Sequence, residues 1–406
     1  MTRSNLTDLL AADGLMTPDR ADVVERMASL GPAIAARSAE YDRSASFPTA
    51  NWADFAANGL LGICIPSEDG GLGADFVGYA LAAEELGRHC TATALTFNMH
   101  VATTLLTGQI ADDMTMTVDE RRVLHERRSN LRRGVIDEHH IHSQPFSEGA
   151  SAGATTGFAT RAVPVDGGYR VTGRKIFASL SSAADISNVV CVVDDDPRIR
   201  LLGVPAAADG VRLEGEWDPL GMRATDSRNL VMEDVFVPSE HEWIPPGMFD
   251  QAAERWPYFY MTLSFAYLGL MRAIMDDTAA YLIGDGGDTS RRSHPIKQQG
   301  WASMNLVYEQ AQALCHRVLG EVHVDPSPAA VRRAWASMVT TMEGAPTLAS
   351  TAIRICGGRS MLRPSSLEQH YRDARCGATM LPWSVEVCLD RLGRVDLFPD
   401  QSELPA

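Results

Sequence analysis

The densest group of possible metal ligands lies at residues 137–142, which read Asp-Glu-His-His-Ile-His. Imidazoles and carboxylates at such short spacing are ligands for divalent metals. A metal site normally needs support from a second ligand cluster at a fixed distance, and the sequence offers none. The seven cysteines are scattered and form no Cys-x-x-Cys pair. We therefore predict no metal site and interpret this segment as an exposed or strand-edge polar loop.

A second group of chemically useful side chains is aromatic. Residues 256–260 read Trp-Pro-Tyr-Phe-Tyr, and Trp383 stands much later in the chain. Large rings of this kind either fill a core or wall a pocket for a compact or aromatic molecule. Core is the favoured interpretation, and a pocket wall is the alternative.

Three stretches of different periodicity must position these side chains. Residues 1–140 are mostly helical in pattern, with Thr17 and Pro18 as a helix start. Residues 141–245 contain short strands and regular turns without helices between them, which is typical of an antiparallel β-barrel or sandwich. Residues 246–406 return to long helical segments with short connections, which indicate a four-helix bundle. Its first helix is predicted to run without a break from Gln251 to Ile283. The predicted fold class is α+β with three domains.

Composition narrows the function classes. The chain has 406 residues, 45% of them hydrophobic, and a formal net charge of −16. A negative field of this size disfavours nucleic acids and anionic membranes as partners. The apolar run near residues 258–271 is too short to cross a bilayer, the N-terminus lacks a signal-peptide pattern, and the odd cysteine count argues against a disulfide framework. We expect a cytoplasmic protein without nucleic-acid or membrane partners.

Five motifs occur in one order along the chain. They are Gly70-Gly71-Leu72-Gly73 with Ala83–Gly87, Gly173–Ser179, Met222–Ser227 with Glu233–Pro238, Ile355–Gly358, and Arg372-Asp373-Ala374-Arg375. In this order they resemble the acyl-CoA dehydrogenase superfamily, from about residue 51 to about residue 393. The resemblance implies a helical, β and helical domain order, and a homotetramer or homodimer.

The resemblance also implies FAD, bound between the β domain and the bundle. Ser147 matches a hydroxyl that the family places on the flavin, Phe177 matches an aromatic residue that packs on the isoalloxazine, and Ser179 matches a neighbouring Thr. The pair Gly357-Gly358 matches a segment where the main chain approaches the dinucleotide closely. The family's pyrophosphate-binding Arg-x-x-Phe-Gly run is missing, and Arg291 is the nearest candidate to replace it.

The catalytic base of the family is absent. One group of members carries a Glu a few residues after the Arg-Asp motif, where this chain has Leu381. Another group carries it on the first bundle helix, where this chain has Phe259. Glu254 and Glu386 are the nearest carboxylates that could act as relocated bases. His100 is a further weak candidate, because its region approaches the flavin in the family.

Three functions follow from the resemblance. The leading one is α,β-desaturation of an acyl thioester, with hydride transfer to flavin N5. The first alternative is a flavin-dependent monooxygenase that uses reduced flavin and O₂ and does not need the missing Glu. The second is a non-catalytic flavin- or ligand-binding homologue. The substrate would be an acyl thioester of CoA or of a carrier protein, or else a free small molecule. The contact with CoA is in question, because Gly153 stands where the family has a CoA-contacting Ser. An electron-transfer flavoprotein or a flavin reductase would be the redox partner.

Overall fold

The computed structural model describes residues 14–149, 158–284, 287–363, 365–380 and 382–398. Its α-helices are α1 (Pro18–Ser44), α2 (Thr49–Ala57), α3 (Phe76–His89), α4 (Thr91–Leu105), α5 (Val118–Asp137), α6 (Met248–Arg255), α7 (Leu263–Ile283), α8 (Pro295–Leu319), α9 (Pro328–Cys356), α10 (Ser366–Cys376) and α11 (Val385–Leu397). Its strands are β1 (His142–Ser143), β2 (Arg161–Val165), β3 (Gly168–Ala178), β4 (Ile186–Val193), β5 (Asp196–Pro205), β6 (Val211–Glu214) and β7 (Arg228–Pro238).

The predicted succession of helical, β and helical regions is confirmed. Helix α1 begins at the predicted position, because the Thr17 side chain accepts a hydrogen bond from the Arg20 backbone and Pro18 occupies the first turn. The charge-rich segment Val118–Asp137 forms the regular helix α5, which a capping box between Thr117 and Glu120 initiates. The boundaries predicted at residues 140 and 245 stay predictions.

The central sheet has the strand order β1-β4-β2-β3-β7-β6, with β5 paired to β4. The pairs β2–β3, β3–β7, β4–β5 and β6–β7 are antiparallel, whereas β1 and β2 pair with β4 in parallel. Alternate residues of these strands, among them Val171, Val189 and Val235, form a separate apolar core. The long strand β3 carries two register irregularities against β7, and the second lies between Lys175 and Ala178.

The C-terminal helices pack around α9, which contacts α7, α8, α10 and α11. The predicted single helix from Gln251 to Ile283 is wrong. Pro257 interrupts it, since proline has no N–H to donate, and a 3₁₀ turn at Pro257–Met261 separates α6 from α7. This break turns residues 256–260 from a helix face into a corner. None of the helices in the described parts of the chain combines the length and hydropathy needed to cross a bilayer.

The Arg372-Asp373 motif joins all three regions. Arg372 on α10 pairs with Asp42 on α1 at 2.6 Å and donates to the Leu220 carbonyl before β7. Asp373 is buried and accepts a hydrogen bond from the Met222 backbone at 2.5 Å. The motif recognised in the sequence is therefore a structural junction in the described residues.

Candidate active site

Ser147 lies directly against strand β3. The Ile176 backbone donates a hydrogen bond to the Ser147 carbonyl at 2.8 Å, which places Ser147 beside Phe177. The Ser147 hydroxyl forms no hydrogen bond with a described residue and is not fully buried, so it is available to a ligand. The two predicted flavin contacts are thus neighbours in space although 30 residues separate them in sequence.

A buried ion pair holds this arrangement. Lys175 is fully buried and donates to the Glu148 carboxylate and, at 2.7 Å, to the Val190 carbonyl. Glu148 also accepts from the Thr160 backbone at 3.1 Å and from its hydroxyl at 2.5 Å. Burial raises the pKa of Glu148, but the hydrogen bonds from Lys175 and Thr160 outweigh burial and lower it. The sequence analysis did not predict this pair, although Lys175 lies within the Gly173–Ser179 motif.

Phe177 presents its ring to solvent. Its side chain is 63% exposed, and its backbone has a φ of 52°, at the second irregularity of β3. A β-bulge re-aims side chains, and a non-glycine residue held at positive φ is strained. The Trp217 ring lies edge-on to Phe177, with the centroids 6.2 Å apart. The exposed Phe177 ring, held out by this strained backbone, offers a surface on which a planar group could stack.

The hydroxyl of Ser179 belongs to a short hydrogen-bonded chain. Its oxygen lies 2.8 Å from that of Ser227, which lies 2.7 Å from that of Thr225. Thr225 in turn donates to the Met222 carbonyl at 2.9 Å. Ser179 is therefore held by the loop before β7 at the same end of β3 as Phe177.

The predicted phosphate-binding residues lie close to each other. Arg291 and Lys297 both stack on the Tyr281 ring, at 4.2 and 4.9 Å, and Lys297 donates to the Ile355 carbonyl just before Gly357. Gly357 has a φ of 86°, and no atom lies within 4 Å of where its Cβ would stand. An open glycine turn beside two cations fits an anionic group such as a phosphate.

Aromatic residues near the two positions of the missing base contact each other. Phe259 is buried at the corner before α7, and the neighbouring Tyr260 ring contacts Trp383 at 5.8 Å. Leu381 itself lies outside the described residues. Glu254 and Glu386 are both exposed, on α6 and α11, and neither has a partner among the described residues. An aromatic wall thus stands where the resemblance leads one to expect a carboxylate.

A separate aromatic contact lies next to Ser147. Phe146, which precedes Ser147, packs edge-on against Phe249 of α6 at 5.5 Å. The predicted core role of these rings is partly correct, because Phe259 and Trp383 are buried, while Tyr260 keeps some exposure. The residue before Ser147 therefore packs on α6, the helix that leads into the corner at Phe259.

His100 has both ring nitrogens occupied. Nε2 lies 2.9 Å from the Leu61 carbonyl, and Nδ1 accepts a hydrogen bond from the His142 backbone at 3.1 Å. Burial lowers the pKa of His100 to about 4. A neutral imidazole whose two nitrogens both have hydrogen-bond partners contributes to packing and has no free nitrogen to accept a proton.

The histidines of the 137–142 segment lie in different environments. His142 is buried beside Asn188, whereas the His140 ring lies 3.1 Å from the neighbouring Glu138 carboxylate. In the part of the chain that the structure describes, no three His, Cys, Asp or Glu side chains are arranged to hold a metal.

The family models for the N-terminal, middle and C-terminal domains of acyl-CoA dehydrogenases match residues 22–115, 146–235 and 251–381. The chain belongs to the acyl-CoA dehydrogenase superfamily. The resemblance found in the sequence is confirmed, and members of this superfamily are flavin-dependent oxidoreductases.

Relatives with different activities are about equally similar. The chain is 25% identical to human mitochondrial short-chain specific acyl-CoA dehydrogenase, over 83% of this chain and 80% of that protein. It is 26% identical to L-evernosamine nitrososynthase from a Micromonospora species, over 96% of this chain and 94% of that one. The crystal structure of FMN-bound TdsC from Paenibacillus sp. A11-2 superposes with a TM-score of 0.81 at 20% identity, over 95% and 98% of the two chains. Homologues thus bind flavin, as predicted, and the fold is shared across reactions.

Proposed function

We propose that this protein is a flavin-dependent monooxygenase that transfers one oxygen atom from O₂ to a small organic substrate. The observation that carries the proposal is the aromatic wall at the base positions. Phe259 fills one position, the rings of Tyr260 and Trp383 pack beside it, and Glu254 and Glu386 face solvent. Abstraction of a weakly acidic α-proton needs a positioned base, whereas oxygen transfer does not need that carboxylate.

The residues around β3 fit a flavin. Phe177 offers its ring to one face of the isoalloxazine, and the Ser147 hydroxyl would donate a hydrogen bond to the ring edge. The Ser179 hydroxyl donates to Ser227, so its oxygen would accept a hydrogen bond from the flavin. Bound reduced flavin supplies the two electrons by which one oxygen atom reaches the substrate and the other leaves as water. The buried Lys175–Glu148 pair would hold the hydroxyl and the ring in register.

We propose FAD as the cofactor. The proposal rests on the resemblance of Gly357-Gly358 to the family's dinucleotide-binding segment, with Arg291 and Lys297 close by to receive the negatively charged pyrophosphate. The mass of the flavin released from denatured protein distinguishes FAD from FMN, the cofactor named for TdsC.

Two stopped-flow measurements test the oxygen-transfer proposal. Anaerobic mixing of the flavin-loaded protein with butyryl-CoA should leave the oxidised flavin absorbance unchanged. After reduction by NADH and a flavin reductase, mixing with O₂ should pass through a species whose absorbance differs from oxidised and reduced flavin. Bleaching by butyryl-CoA within one turnover would overturn the proposal.

Desaturation of an acyl thioester remains the second candidate. It is favoured by the match of residues 251–381 to the dehydrogenase C-terminal domain and by the human short-chain relative. If butyryl-CoA bleaches the flavin, Glu254→Gln and Glu386→Gln test whether either carboxylate is the base. Because both carboxylates are exposed, we expect neither substitution to change the outcome.

A further inference from the structure

The guanidinium of Arg391 on α11 has no carboxylate partner among the described residues. It lies over the rings of Trp335 and Trp383, at 5.6 and 5.9 Å from their centroids. Within the described residues it makes no hydrogen bond or ion pair. Other partly buried arginines, such as Arg88 with Asp276 and Arg127 with Glu242, are paired with carboxylates. A guanidinium is always charged and presents five donors, so Arg391 can still bind an anion.

The two indoles below Arg391 add further donors without acceptors. The Nε1 atoms of Trp335 and Trp383 are buried and have no hydrogen-bond partner in the described part of the chain. Trp383 is only 1% exposed. The Nε1 atoms of Trp52 and Trp217 are unpaired among the described residues as well, so what distinguishes Trp335 and Trp383 is the unpaired guanidinium over their rings.

Tyr260 brings a fourth donor and connects the cluster to the aromatic wall. Its ring contacts Trp383 at 5.8 Å, and Arg391 and Asp250 are the charged groups that act on its hydroxyl. Burial raises the pKa of Tyr260 to about 12, so the hydroxyl stays protonated at neutral pH. Asp250 is exposed and accepts a hydrogen bond from the Ile199 backbone at 3.4 Å. The cluster therefore has more donors than acceptors.

We propose that Arg391, Tyr260, Trp335 and Trp383 form a recognition site for an anionic oxygen group, a phosphate or a carboxylate, on the substrate. This inference rests on the proposed function, because it takes the aromatic wall as the side of the substrate site. Arg391 and Tyr260, both partly exposed, supply the charge and a further hydroxyl donor, while the rings of Trp335 and Trp383 hold the guanidinium in place. The site determines which substrates bind, while the oxygen transfer takes place at the flavin.

Isothermal titration of flavin-loaded protein tests the site. The probes are inorganic pyrophosphate, coenzyme A, thymidine diphosphate and benzoate, which separate phosphate carried by CoA, phosphate carried by a nucleotide and carboxylate. At least one probe should bind, and Arg391→Gln should raise its Kd about tenfold or more, the loss expected for a charge-assisted hydrogen bond. Arg391→Lys, which keeps the charge, should recover part of the affinity.

Arg394→Gln is the matched control. Arg394 lies one turn later on α11 and pairs with Asp390 at the surface, so its loss should change the Kd less than about twofold. Binding of none of the probes, or equal affinities in wild type and Arg391→Gln, would overturn the inference. Bleaching of the flavin by butyryl-CoA and the reaction of the reduced flavin with O₂ are measured on the same samples. A failure of the proposed function appears there and not in the titrations.

Discussion

Replacement of Lys175 by Met tests whether the buried ion pair organises the flavin site. The substitution keeps the length of the side chain and removes the charge opposite the Glu148 carboxylate, which is 1% exposed. Removal of one partner of a buried pair typically costs about 3–5 kcal/mol, because the other charge is left uncompensated. Thr160 still donates two hydrogen bonds to Glu148, so we expect the lower end, about 3 kcal/mol.

A second substitution separates the charge from the packing. In the double variant Lys175→Met/Glu148→Gln no charge remains buried, so most of the stability should return, to within about 1–2 kcal/mol of wild type. Arg174→Met is the control on the same strand. Arg174 is half-exposed and pairs with Glu214 at the surface, and its loss should cost less than about 1 kcal/mol.

Urea unfolding followed by circular dichroism gives the free energies, and quenching of flavin fluorescence gives the affinity. Lys175→Met should weaken flavin binding together with stability, because Glu148 adjoins Ser147 and Lys175 lies two residues from Phe177. Equal stability losses for Lys175→Met and Arg174→Met would refute the reasoning. Unchanged flavin affinity in Lys175→Met would show that the ion pair does not organise the flavin site.

Three further predictions concern pH and the stacking ring. Desolvation raises the pKa of Asp373 to about 6, so the folded protein holds a proton that the unfolded chain releases; stability should fall as pH rises from about 4 to about 6, and Asp373→Asn should remove that slope in urea titrations. Burial lowers the pKa of His142 to about 3, so the unfolded chain takes up a proton that the folded protein excludes; stability should fall as pH drops below about 6.5, less steeply in His142→Gln. Phe177→Ala should raise the Kd for flavin at least about tenfold, as loss of a stacked aromatic implies, whereas Val163→Ala, another exposed apolar change on the same sheet, should leave it unchanged.

Local patterns in the sequence sufficed for much of the fold. The helix start at Thr17-Pro18 depends on residues close in sequence, and so do the three stretches of different hydrophobic periodicity. Both could therefore be predicted without tertiary information. The flavin-contact candidates Ser147 and Phe177 came from motif matches, and their proximity in space agrees with that assignment. The single long helix from Gln251 was predicted wrongly because apolar periodicity continues across Pro257 although the backbone hydrogen bonding does not.

By itself, the sequence determined the family, the order of the regions and the absence of Glu at both base positions, since these depend on which residue stands where. Only the tertiary structure decided that Phe259 and Trp383 belong to one wall, that Lys175 neutralises Glu148, and that Arg391 lies unpaired over two indoles. Lys175 and Glu148 lie 27 residues apart, Arg391 and Trp335 56, and Phe259 and Trp383 124. Contacts of this kind arise from packing and burial, which a motif of adjacent residues does not encode.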